Sequence, residues 1–141
     1  MTERLVSQAR TLAIRAHEHQ RDKAGRPYIE HVARVAAAVA GDDRAEAVAW
    51  LHDVVEDCPD HAAEVQWWPE DIRQAVMLLT RGEGDDAGYY LRIRDNPLAL
   101  KVKLADIADN SSHARLEVLD APTAERLRIK YANALKVLQA G

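Results

Sequence analysis

Apolar residues recur three and four positions apart along most of the chain, which is the spacing of one face of an α-helix. The N-terminal segment is an example, because Leu5, Ala9 and Leu12 fall on a single helical face. No stretch alternates apolar and polar residues over the length of a β-strand. The pattern predicts an all-α fold and argues against a sheet-based architecture.

Glycine and proline divide this pattern into segments. Gly25 and Pro27 interrupt the first helical stretch, and Gly41 ends the second. Proline also stands near the predicted start of three later helices, at Pro69, Pro97 and Pro122. The segment "RGEGDDAG", residues 81–88, is expected to be an acidic loop. We therefore predict one domain over residues 1–141, a helical bundle of about six or seven helices.

Composition excludes several classes of protein. With 141 residues, 48% of them hydrophobic, the chain can bury a single core. A net charge of −4 gives no general basic face for nucleic acid. No apolar run approaches the roughly 20 residues of a membrane span, and "MTERLVSQAR" does not resemble a signal peptide. Cys58 is the only cysteine, so no intramolecular disulfide can form. We expect a cytoplasmic protein that binds neither nucleic acid nor membrane. Composition does not predict whether the chain forms oligomers.

The stretch "AWLHDVVEDCPD" places one histidine and three carboxylates within six residues at the end of an apolar helix. Residues four apart share a helical face, so Glu56 lies beside His52 and Asp57 lies beside Asp53. Carboxylates this close repel one another unless a cation or solvent compensates their charge. Taken alone, the patch fits either a divalent cation site or a solvated helix end.

Two residues elsewhere favour the cation site. His31 has apolar neighbours on its predicted helix, although a lone histidine there could be a hydrogen-bonded core residue. Asp106 lies within the apolar stretch "VKLADIADN" and needs a basic partner or a metal. Together with His52 and Asp53 they supply two imidazoles and two carboxylates, a donor set that suits Mn²⁺, Fe²⁺ or Co²⁺. One shared site explains the four residues more simply than four separate structural roles.

The order of these residues resembles the HD superfamily of metal-dependent phosphohydrolases. The stretches "AHEHQRDKAGRPYIEHVARVA", "AWLHDVVED" and "VKLADIADN" are similar to the hydrolase domain of RelA/SpoT proteins and to the small alarmone hydrolases. Those families carry a G-x-P-Y-x-x-H entry, an H-D-x-x-E-D box and an L-A-D-x-x-x-N box. The similarity extends over residues 10–138. Three boxes in this order indicate the family far more specifically than the H-D pair alone.

The resemblance assigns roles to individual residues. It implies one divalent ion, Mn²⁺, held by four ligands: His31, His52, Asp53 and Asp106. It implies that Glu56 and Asp57 handle the attacking water. It further implies that Asn110 contacts the nucleotide and that Arg21 and Lys23 touch its base or phosphates.

The resemblance also implies a substrate. We expect a phosphohydrolase that acts on a phosphorylated nucleotide and releases pyrophosphate from the 3′-diphosphate of a (p)ppGpp-like alarmone. Two alternatives remain open. One is a phosphatase or phosphodiesterase that acts on another phosphorylated nucleotide or dinucleotide. The other is a nucleotide-sensing module without catalytic activity.

Three features depart from the family pattern. Asp22 separates Arg21 from Lys23, where family members often have adjacent basic residues. Asp109 stands where histidine or tyrosine is common, and "SSHARL" follows Asn110 in place of a Met-Arg or Leu-Arg pair. We expect all three departures to affect the substrate pocket and not the metal ligands.

Several other residues have a structural interpretation. Trp67 and Trp68 are expected to be packing anchors between helices, and Lys103 is expected on a solvated face. Cys58 follows two carboxylates, which should raise the pKa of its thiol and make it a poor nucleophile.

Overall fold

A computed structural model describes the backbone of residues 2–81 and 86–140, and the side chains of residues 4–81 and 88–140. This part of the chain contains nine α-helices: α1 (Thr2–Ala16), α2 (Tyr28–Ala38), α3 (Asp43–Leu51), α4 (Val54–Asp57), α5 (Glu70–Leu79), α6 (Asp86–Arg94), α7 (Pro97–Asn110), α8 (His113–Leu116) and α9 (Ala121–Gln139). A 3₁₀ helix covers Pro59–Trp67, between α4 and α5. The helix α6 begins inside the segment expected to be an acidic loop, and residues 82–85 of that segment lie outside the described residues.

The all-α prediction is confirmed. Across residues 2–81 and 86–140, the extended pairing consists of one isolated bridge, between Arg21 and Pro27. Seven of the helices described there have nine or more residues, in agreement with the predicted six or seven. The other two, α4 and α8, have four residues each and are too short to produce a recognisable apolar period. No helix within the described segments is long and apolar enough to cross a membrane.

Side-chain caps fix the starts of two site-bearing helices. The Asp42 carboxylate accepts a hydrogen bond from the backbone N–H of Ala45 and begins α3. Asn96 accepts one from the N–H of Ala99, and Pro97 follows it as the first residue of α7. Such caps satisfy backbone donors that have no partner inside the helix.

The helix α3 lies at the centre of the bundle and packs against α1, α2, α5 and α7. Six of its nine residues are buried, and three of these are alanines: Ala45, Ala47, Val48, Ala49, Trp50 and Leu51. Its charged residues, Asp43, Arg44 and Glu46, lie near its start, and residues 47–51 are apolar and all buried. A helical segment that is apolar on all sides belongs in the interior. The residue that follows it, His52, therefore lies in the core, where α2 and α7 pack against α3.

The tryptophan prediction is half right. Trp68 packs against the main core. Trp67 is 82% exposed, so the expectation that it anchors two helices is wrong. It lies at the end of the 3₁₀ helix, where the neighbouring Val65 is the residue that turns inward.

Leu51→Ala is expected to destabilise the fold by about 2–5 kcal/mol, because a fully buried leucine leaves a cavity when it is truncated. Urea unfolding followed by circular dichroism measures this change in the free energy of unfolding. Leu91→Ala is the matched control, since Leu91 is 42% exposed, and its loss should be much smaller. Equal losses for the two variants would contradict the central position assigned to α3.

Candidate metal centre

Four separate segments bring the predicted metal ligands together. His31 comes from α2, His52 ends α3, Asp53 precedes α4 and Asp106 comes from α7. One ligand atom from each of the four residues lies within 4.8 Å of the other three. All four side chains are buried or nearly so. The structure thus assembles the set as one cluster.

His52 is oriented by its own helix. Its Nδ1 lies 2.6 Å from the carbonyl oxygen of Ala49. A carbonyl oxygen only accepts, so this hydrogen bond assigns the ring proton to Nδ1. The other nitrogen, Nε2, is 3.1 Å from an Asp53 oxygen and 3.3 Å from Oδ1 of Asp106. Nε2, the nitrogen that this bond leaves for a proton or a metal ion, therefore faces the cluster.

His31 is oriented in the same way by a carboxylate. Its Nδ1 lies 2.6 Å from Oδ2 of Asp109, and its Nε2 lies 2.9 Å from Oδ1 of Asp106. Burial raises the pKa of Asp109, but hydrogen bonds from His31 and Arg34 outweigh burial and lower that pKa to about 2. Nη1 of Arg115 also lies 3.1 Å from this Nδ1, but the Asp109 carboxylate is the nearer partner and the one that can accept an N–H. Nε2 of His31 points at the cluster as well.

The donor set fits a divalent cation. Metal-binding histidines usually donate their second ring N–H to a carbonyl or carboxylate, as both His31 and His52 do here. The electrostatics agree with this. Burial lowers the pKa of His52, but the negative charges of Asp53 and Asp106 outweigh burial and raise it well above the ordinary value. The two carboxylates thus favour positive charge at this site, and two nitrogens with two carboxylates suit a first-row divalent ion.

Each carboxylate of the cluster has a further partner. The Tyr28 hydroxyl donates to Asp53. Lys103 Nζ donates to Oδ2 of Asp106 at 3.1 Å, and Asn110 Nδ2 lies 3.3 Å from Oδ1 of Asp106. The Lys103 side chain is only 13% exposed, so its expected place on a solvated face is wrong. Burial raises the pKa of Asp106, but Lys103 and the two histidines hold it well below its usual range.

The acidic pair lies on the single-turn helix α4, next to the cluster. Oε1 of Glu56 accepts the backbone N–H of Arg81 at 2.7 Å, and Oδ2 of Asp57 accepts from the Gln20 amide at 3.2 Å. These bonds hold one oxygen of each carboxylate. Partial desolvation raises the pKa of both groups, and the nearby charge of Asp53 adds to the shift. A raised pKa makes each carboxylate a stronger base.

A cavity of about 910 Å³ opens onto the acidic pair and the cluster. This is within the range of small-molecule sites. Basic side chains from the loop before α2 and from α8 line one part of it: Arg21, Lys23, Arg26 and Arg115. Others come from the end of α5, from α7 and from α9: Arg81, Lys103 and Lys130. Eight basic and seven acidic side chains line the cavity, so its wall is more basic than the chain as a whole, whose net charge is −4. Such a wall suits an anionic ligand.

The three predicted substrate residues all line this cavity. Arg21 donates from Nη1 to the carbonyl oxygen of Gly25, within its own loop. Asn110 contacts Asp106 through its amide nitrogen and accepts from Arg115 through its oxygen. Their contact with a substrate stays a prediction.

The loop before α2 is organised by Asp22. Its Oδ1 accepts the backbone N–H groups of Ala24 and Arg26, each at 2.9 Å, and its Oδ2 accepts from Arg115 at 3.1 Å. Gly25 adopts the left-handed conformation, φ +82°, that the tight turn requires. Sequence reasoning missed Arg115, because its partner Asp22 lies 93 positions earlier in the chain.

The expected location of one departure needs correction. The sequence predicts that Asp109 affects the substrate pocket and not the metal ligands. Asp109 does line the cavity, but its side chain also contacts the predicted ligand His31 directly. Asp109 follows Asp106 by three residues and shares its helical face. That spacing is the signal in the sequence that both side chains approach the same histidine.

Comparison with known proteins supports the fold. No protein-family model matches the sequence, and no curated protein matches it significantly. Among solved structures, the chain is similar to a metazoan ortholog of SpoT that hydrolyses ppGpp and plays a role in starvation responses. The TM-score is 0.77 at 21% identity, over 96% of this chain and 86% of the other. At this identity the similarity establishes a shared fold.

Proposed function

We propose that this chain is a metal-dependent phosphohydrolase that releases pyrophosphate from the 3′-diphosphate of a (p)ppGpp-like nucleotide. The observation that supports it most is the buried cluster of His31, His52, Asp53 and Asp106, beside a cavity whose wall is more basic than the chain as a whole. The shared fold with an ortholog of SpoT that hydrolyses ppGpp supports the substrate class.

In this proposal, the four clustered residues hold one divalent ion, Mn²⁺. Both imidazoles would bind through Nε2, the nitrogen that their outer hydrogen bonds leave with a lone pair. A divalent ion in such a site acidifies a water and neutralises charge on a phosphoryl group.

The acidic pair supplies the base. Glu56 or Asp57 orients the attacking water with a carboxylate oxygen and accepts its proton. The water oxygen forms a bond to phosphorus in line with the leaving group, and the bond between phosphorus and the 3′-oxygen of the nucleotide breaks. The 3′-oxygen takes up a proton as pyrophosphate departs. Arg21, Lys23 and Asn110 contact the base or phosphates of the substrate, from positions on the cavity wall.

One structural feature favours the alternative of another phosphorylated nucleotide or dinucleotide. Asp22 occupies the loop where the related families often have adjacent basic residues, and it engages Arg115 in an ion pair. An acidic residue in place of a basic one changes the part of the cavity wall that would contact the nucleotide. The acidic pair, Glu56 and Asp57, is unchanged.

A substrate panel tests the proposal. The Mn²⁺-loaded protein is expected to release pyrophosphate from ppGpp, measured by a coupled pyrophosphate assay and by chromatography of the nucleotide product. A dinucleotide with a 2′-phosphate and ordinary nucleoside triphosphates complete the panel, and the metal-depleted protein is the control. Orthophosphate release from one of these would favour the alternative hydrolase. Binding without turnover would favour a sensing module, and neither binding nor turnover would contradict all three.

A further inference from the structure

The carboxylate of Asp109 lies between a predicted metal ligand and two arginines. Its Oδ2 is 2.6 Å from Nδ1 of His31. Arg34 donates to both of its oxygens, from Nε at 2.6 Å and from Nη2 at 3.2 Å. Arg115 donates to Oδ2 from Nη1, also at 3.2 Å. The side chain is 13% exposed, so these partners take the place of most of its water.

These contacts constrain the His31 ring in two respects. Both ring nitrogens face a carboxylate oxygen, and the shorter distance is the one from Nδ1 to Asp109, 2.6 Å against 2.9 Å from Nε2 to Asp106. A proton kept on Nδ1 by Asp109 leaves the lone pair of Nε2 for an ion in the cluster. The hydrogen bond also limits rotation of the ring, so that Nε2 stays 2.9 Å from Oδ1 of Asp106. A ring without this partner could take the other tautomer or turn away.

Arg34 and Arg115 explain how the Asp109 carboxylate can lie next to the cluster, which already contains Asp53 and Asp106. Asp109 adds negative charge close to Asp106, with which it shares a helical face. Like charges at this spacing repel in a partly desolvated site. The guanidinium groups of Arg34 and Arg115 neutralise Asp109, and Nη1 of Arg115 also lies 3.1 Å from Nδ1 of His31. The bidentate contact of Arg34 fixes the plane of the carboxylate.

We propose that Asp109 is a positioning residue of the metal centre, which holds His31 with Nε2 directed at the cluster. This inference rests on the proposed function, because it assumes that His31 binds a metal ion. It gives a role to Asp109, which stands where the related hydrolases commonly have histidine or tyrosine.

Metal affinity tests the role directly. The dissociation constant of Mn²⁺ is measured by competition with a chelator of known affinity, for the wild-type chain and for Asp109→Asn and Asp109→Ala. Loss of an outer partner of a metal-binding histidine typically weakens affinity by about 10–100-fold. The alanine variant should show the larger loss, because asparagine keeps a hydrogen-bond acceptor of the same shape.

Asp71→Asn is the matched control. Asp71 also accepts a guanidinium on both oxygens, from Arg44 at 2.7 Å, but it is exposed and does not line the cavity. Its replacement removes a comparable ion pair and should leave Mn²⁺ affinity unchanged. Should the alanine variant fail to fold, Asp109→Asn decides the question alone.

Failure of the positioning role can be distinguished from failure of the proposed function. If the wild-type chain binds Mn²⁺ and both Asp109 variants bind it equally well, the positioning role is wrong and the metal site stands. A loss of thermal stability without a loss of affinity would also contradict the positioning role, because it makes Asp109 purely structural. If the wild-type chain binds no metal, the proposed function fails first.

Discussion

His52→Ala and Asp106→Ala are expected to abolish both metal binding and hydrolysis. Each variant removes one of the four proposed ligands, and an ion held there would supply several kcal/mol of transition-state stabilisation. At about 1.4 kcal/mol per tenfold change, turnover should fall by roughly 10³-fold or more. Elemental analysis after Mn²⁺ loading and desalting should find about one ion per wild-type chain and almost none in the variants.

His52→Ala is the cleaner of the two variants. Asp106→Ala leaves the buried ammonium of Lys103 without its carboxylate, and breaking a buried pair costs about 3–5 kcal/mol of stability. The free energy of unfolding is therefore measured alongside metal content. Asp71→Ala, which removes an exposed aspartate, should change neither quantity by much. A His52→Ala variant that keeps a full metal content would contradict the ligand assignment.

Glu56→Gln is expected to lower turnover by roughly 10²–10⁴-fold, the usual contribution of a general base. Glutamine keeps the size of the side chain and can still accept the backbone N–H of Arg81, so the local structure should persist. Metal content should hardly change, because Glu56 lies outside the ligand set. Asp57→Asn is the companion variant, and the larger loss identifies the main base.

The measurement is kcat on the best substrate of the panel, with metal content determined on the same samples. Lost metal in Glu56→Gln would make Glu56 a ligand. Undiminished turnover in both variants would mean that the acidic pair is structural and that the proposed mechanism is wrong.

The parts of this molecule that could be predicted are those that depend on short spacing. Apolar periodicity predicted the helices. The pair His52-Asp53, together with His31 and Asp106 from the other two motifs, predicted the cluster. The prediction for Lys103 is wrong, although this residue precedes Asp106 by only three positions. The i, i+3 spacing allows a pair, but it does not tell which face of α7 is buried.

Contacts between distant segments could not be predicted from spacing. Asp109 and His31 are 78 positions apart, and Arg115 and Asp22 are 93 apart. Such pairs arise only when α2, α7 and α8 have docked. The single-turn helices α4 and α8 carry no apolar period of their own, so their positions depend on the longer helices around them.

The convergence of four segments on one cluster has a thermodynamic consequence. The proposed ligands span positions 31 to 106, so the unfolded chain cannot present them together. An ion held by all four would bind the folded chain alone and would stabilise it by mass action, by about 2.7 kcal/mol when the free ion is at 100 times its dissociation constant. The supply of metal would then govern the fraction of folded chain as well as its activity. In a metal-starved cell, this protein would lose both together.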